Sequence, residues 1–149
     1  MVEGYAAFWN YEDTMKLMRD MVMFVLDQTF NTTTITIQGQ TINFSLEWDI
    51  FSFRDLILKD TGIEIDLYPD VKDLYQVTLR KNINLEHSDI NYLGRCNFID
   101  LLYKKMCQQQ LVKPTFLIKN PIDLSPLARA NDQNSALTDR FQLGLFRAG

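Results

Sequence analysis

The first residues, V-E-G-Y-A-A-F-W, are aromatic and small apolar, and a period of two puts Glu3, Tyr5, Ala7 and Trp9 on one face, which predicts a strand. From Asn10 the spacing turns helical. Asn10 is a candidate cap, Glu12 and Asp13 suit the positive end of the helix dipole, and Met15, Met18, Val22 and Val25 form an apolar stripe to about Phe30. Leu17, Met21 and Phe24 widen that stripe, so the helix is expected to be pinned between other elements, its methionines filling a core. In T-I-T-I-Q-G-Q-T-I-N-F, two alternating β-branched runs flank a Gln-Gly-Gln turn, predicting a hairpin with strands near 33–37 and 41–46.

Ser52 opens a predicted short helix through Leu56, Ile57 and Leu58 that Gly62 stops, and V-K-D-L-Y-Q-V-T-L-R predicts another after Pro69. The Asn-rich stretch 82–91 reads as a surface loop. A long helix is expected over 97–111, with Phe98, Leu101, Leu102 and Met106 inward and Lys104 and Lys105 outward. Pro114 ends it, T-F-L-I reads as a buried strand, and Pro121 and Pro126 bracket a rigid turn. A polar loop, A-N-D-Q-N-S, then leads to a last strand in R-F-Q-L-G-L-F. No repeat or low-complexity tract occurs. Because the hairpin argues for an antiparallel sheet, the expected fold class is α+β.

With 149 residues, 46% of them apolar, the chain has the makings of one globular unit. Its net charge of -4 is mixed in sign along the chain and advertises no nucleic-acid surface, although another part of a larger protein could hold RNA. Cys96 and Cys107 are not in a C-x-x-C arrangement and His87 is the only histidine, so no zinc site and no Ser-His-Asp or Cys-His set can be built; the cysteines read as reduced structural thiols. No run approaches the roughly 18 apolar residues of a membrane span, and acidic Glu3 stands where a signal peptide carries basic charge, so a cytoplasmic location is expected.

Three segments in order carry a resemblance: M-V-E-G-Y-A-A-F-W-N-Y-E-D-T-M, L-V-K-P-T-F-L-I-K-N-P-I-D-L-S-P-L-A-R and L-T-D-R-F-Q. Together they resemble the class II lysyl-tRNA synthetases, the stretch from about Asn31 to Asn97 matching in layout only. The resemblance implies an internal piece of the catalytic domain. Residues 1–30 would be the end of the motif 2 strand and its helix, 31–112 an inserted hairpin and helical region, and 113–149 returning core strands that stop before motif 3. It also implies that Glu3 accepts the ε-ammonium of substrate lysine while the Tyr5 hydroxyl assists. Side chains two apart on a strand share a face, so a carboxylate and a phenol can converge on one ammonium group. The spacing alone favours instead a Glu3 that salt-bridges across an open sheet and a Tyr5 packed at its edge; the three-segment match favours the pocket.

Ser125 and Pro126 would fix a turn beside the pocket. Arg129 and Arg140 could reach phosphates but, with no Gly-rich loop beside either, are expected in surface or sheet-edge pairing. At Gln142 many members of the family have a Glu that holds magnesium near ATP, and an amide offers one neutral oxygen instead. The motif 2 arginine with its loop and the Gly-rich motif 3 do not occur in the sequence, so no catalytic residue is assigned and the isolated chain is expected to be inactive. The resemblance gives the full-length parent ATP and Mg2+ as cofactors, lysine and tRNA as substrates, and a homodimeric state. Two alternatives stay open: a paralogue that lysylates a protein, and a non-catalytic binding module of synthetase descent.

Overall fold

The structure is a computed structural model that describes residues 3–37, 39–85 and 93–144. It mixes helices with two small sheets and divides into two compact units, Met1–Glu47 and Trp48–Gly149.

In the first unit, residues 3–10 are irregular, with a turn at Ala7 and Phe8. The predicted strand is therefore not formed. A strand needs a neighbour for its backbone donors and acceptors, and among the described residues none pairs with this segment; β1 and β2 pair only with each other. Helix α1 (Tyr11–Phe30) starts where the sequence says it should. The Asn10 side chain accepts from the backbone N–H of Glu12 at 2.8 Å and of Asp13 at 3.0 Å, while Asp13 Oδ2 accepts from the Asn10 N–H at 3.0 Å. This reciprocal box satisfies donors that a helix start leaves open. Asn31 closes the helix in the left-handed region (φ 52°). Of the predicted apolar stripe only Met15 is buried, Leu26 being buried outside it, whereas Leu17, Met21, Phe24 and Val25 are exposed, so the expected pinning is not found. Strands β1 (Thr34–Ile37) and β2 (Gln40–Asn43) form the predicted antiparallel hairpin, with Ile35 opposite Ile42. Gly39 takes the positive φ (81°) that its turn requires.

The second unit holds a three-stranded sheet in the order β3 (Asp49–Ser52), β4 (Thr115–Ile118), β5 (Phe141–Gly144). Strand β3 runs parallel to β4 and β5 antiparallel to it, so the sheet is mixed rather than purely antiparallel as expected. The reason lies in β3: D-I-F-S is too short to show a period, and sequence reading placed no strand there. Parallel pairing needs a long crossover, here made of α2 (Phe53–Thr61), α3 (Val71–Arg80) and α4 (Arg95–Leu102). Caps define α2 at both ends as predicted: Ser52 Oγ accepts from the Asp55 N–H at 3.0 Å, and Gly62 (φ 65°) returns its N–H to Leu58 O at 2.8 Å. Asp70 caps α3, its carboxylate accepting from the Lys72 N–H at 2.7 Å.

The long helix expected over 97–111 is broken. Helix α4 stops at Leu102, Tyr103–Cys107 form a wide π turn, and Gln108–Gln110 tighten into a 3-10 turn. Its apolar stripe is continuous through this break, so hydrophobic spacing could not reveal it. Phe53, Leu56, Ile57, Phe98, Leu102 and Leu117 lie at the centre of the core, with Phe53 and Tyr103 rings 5.0 Å apart. Ile83 and Leu85, which fell in the predicted surface loop, are buried in this core. The rest of that loop, with His87, lies outside the described residues.

Candidate functional site

Each residue singled out by sequence has its own setting. Glu3 and Tyr5 lie in the irregular segment ahead of the Asn10 cap, both exposed, Tyr5 fully so at 100%. Among the described residues neither has a hydrogen-bond or ion-pair partner, so the salt bridge across a sheet that their spacing also allowed is not formed. A carboxylate and a phenol left open to solvent keep all their hydrogen-bonding capacity for a ligand.

In the second unit, the segment after β4 is sewn to the strand approaching β5. Asn120 O accepts from both the N–H and the hydroxyl of Thr138, at 2.9 and 3.0 Å, and Ala136 O accepts from the Ile122 N–H at 2.8 Å. Between them Ile122–Leu124 make one 3-10 turn, the rigid turn that Pro121 and Pro126 predicted. Ser125 is buried at its end, and its Oγ accepts a hydrogen bond from the Arg140 guanidinium. Arg140 thus clamps the turn to the base of β5. Arg129 instead sits at the surface, where one guanidinium nitrogen donates to both oxygens of Asp132 at 3.0 and 2.8 Å. Both arginines therefore make local pairs, the reading preferred from sequence.

Gln142, in β5 opposite Leu117, has a buried Oε1 with no hydrogen-bond donor among the described residues. The Asn120 Nδ2 donor is buried and unpaired in the same sense. Buried polar atoms without partners are uncommon, and no sequence pattern marked Asn120.

A cleft of about 400 Å3, which sequence reading missed, opens at the start of α2 between Arg54, Asp66, Arg95, Lys119 and Leu137. Its residues come from distant parts of the chain, so spacing could not assemble them. Its two arginines are already committed. Arg54 pairs with Glu64, with Asp66 at 3.0 Å and with Asp55 at 3.4 Å, and the bond to Glu64 first of all raises its pKa. Arg95 donates to the carbonyls of Tyr68 at 2.9 Å and Ile65 at 2.7 Å, tying α4 to the turn before α3.

The cysteines are free, and both are poor nucleophiles. Burial, then a hydrogen bond to Asp123 (Sγ to Oδ2, 3.2 Å), lifts Cys96 to about 11. Cys107 is fully buried, and burial followed by the charge of Asp60 lifts it to about 12. A thiol so raised stays protonated at neutral pH, in keeping with structural thiols. Among the described residues no group of three His, Cys, Asp or Glu could hold a metal ion, and no helix is long and apolar enough to cross a membrane.

No family model matches the chain. It is, however, similar to lysine–tRNA ligases: 30% identical over 145 residues to that of Fervidobacterium nodosum, 33% over 144 to that of Prochlorococcus marinus and 33% over 148 to that of Aquifex aeolicus. These alignments cover 97%, 95% and 99% of the chain, against 27%, 27% and 24% of the relatives. The chain thus spans about a quarter of the length of the curated relatives it matches. Over that quarter, it is itself a relative of the lysine–tRNA ligases.

Proposed function

We propose that this chain is the part of a class II lysine–tRNA ligase that supplies Glu3 and Tyr5 to the lysine side-chain pocket, in a cytoplasmic, homodimeric parent that activates lysine with ATP and transfers it to tRNA. The observation that carries this reading is identity of 30% or more along nearly the whole chain to proteins of that name. The unengaged state of Glu3 and Tyr5 supports it, because a buried ammonium group needs an anionic partner with free lone pairs. Charge-assisted hydrogen bonds of this kind contribute about 1.5–3 kcal/mol each, and a ligand without the ammonium forfeits them. Arg140 serves the site by holding the Ser125 turn against β5, and has no part in binding phosphate. With no arginine clamp for ATP in its sequence, the chain by itself forms no adenylate.

The test is a graft. The chain replaces its matching segment in the Aquifex aeolicus lysine–tRNA ligase, and lysine-dependent exchange between ATP and pyrophosphate is measured. Exchange is expected in the folded graft and not in the chain alone. A folded graft with no exchange contradicts the reading, and exchange by the chain alone would show it to be self-sufficient.

A further inference from the structure

The resemblance puts a magnesium ligand at position 142, and the residues present do not fit that ion. Mg2+ is held by carboxylate, phosphate and water oxygens in a strict octahedral shell. Gln142 brings an amide oxygen without charge, and that oxygen is buried with no donor among the described residues. Two residues earlier, the Arg140 guanidinium donates to Ser125 Oγ. Asp139, the nearest carboxylate along the chain, accepts a hydrogen bond from Asn131 Nδ2 at 2.6 Å. A buried, unpartnered neutral acceptor suits an uncharged hydroxyl or amide donor and supplies none of the charge that Mg2+ needs.

We propose that β5 of this chain carries no divalent-cation site and that Gln142 is the residue that removes it. The proposal deepens the reading above, since it concerns the sheet assigned there to the ligase site, yet its test does not depend on lysine binding or turnover. The whole chain is titrated with Mn2+, a paramagnetic stand-in for Mg2+, and broadening of backbone amide signals is followed by NMR. In the natural sequence, the signals of residues 140–144 are expected to keep their width relative to the rest of the chain up to millimolar Mn2+. In Gln142→Glu the same signals are expected to broaden selectively, at least tenfold lower in Mn2+. Selective broadening at 140–144 in the natural sequence overturns the proposal. So does a folded Gln142→Glu that gains none, because the neighbours and not Gln142 would then be responsible. If Gln142→Glu does not fold, the natural sequence decides the question. Failure of the graft with an unchanged Mn2+ result would remove the ligase reading and leave the cation result standing.

Discussion

Helix α1 and helices α2 and α3 of the second unit begin in the same way, with a side chain capping the first turn, but α1 and the second unit's helices lie in different environments. Around α2 and α4, Phe53, Leu56, Ile57, Phe98 and Leu102 are each at most 1% exposed. On α1, Leu17, Val25 and Phe24 are 49%, 51% and 64% exposed. Capping is a local interaction and needs only residues within one turn, whereas burial needs partners from elsewhere in the chain. An amphipathic pattern therefore says which face wants cover without saying what covers it. The second unit supplies its own partners, and its core is the part of the molecule whose stability the chain determines by itself.

Substitutions in that core destabilise the chain most. Phe98→Ala is expected to cost about 3–5 kcal/mol, as for other large-to-small core changes, while Phe24→Ala on the exposed stripe costs less than about 1 kcal/mol. Urea midpoints of the two variants check this. Equal losses would mean that α1 is as firmly packed as α4.

Alkali should act next, again through the second unit. Burial lifts Cys96 to about 11 and both Tyr103 and Cys107 to about 12. As pH rises past 9.0, the ordinary value for a thiol, the unfolded chain releases these protons before the folded one does. Their contribution is thus complete below that pH and is lost on the way to about 12. The urea midpoint should fall across this window, and Cys107→Ala should make the fall shallower. An identical slope in the variant would show that the thiol is not coupled to folding.

A smaller effect is expected in the first unit. Asn10→Ala removes the acceptor for two backbone N–H groups and should cost about 1 kcal/mol of helix stability. Faster amide exchange confined to the first turn of α1 would sharpen the contrast; loss of protection in α4 as well would dissolve it.

What the sequence disclosed follows the same division. The caps at Asn10, Ser52 and Gly62, the hairpin turn at Gly39 and the buried T-F-L-I strand were legible because each is written in adjacent residues. The parallel pairing of β3, the π turn after Leu102 and the burial of Ile83 and Leu85 were not, because each depends on residues far away in the chain. The segment holding Glu3 and Tyr5 shows the limit most clearly. Its alternation is that of a strand, but no described strand lies beside it to complete the hydrogen bonds. The pair was picked out by its likeness to a family, and the cleft at Arg54 and Arg95 by nothing in the sequence.

The ligase reading depends on a carboxylate that recognises an ammonium group. The most direct measurement is the ratio of kcat/KM for lysine to that for norleucine, which has the same chain without the terminal amine, in the grafted enzyme with Glu3 and with Glu3→Gln. The expected result is a fall in this ratio of about tenfold to a hundredfold, the equivalent of one charge-assisted hydrogen bond. An unchanged ratio in an active, folded variant would contradict the assignment of Glu3 to the lysine pocket.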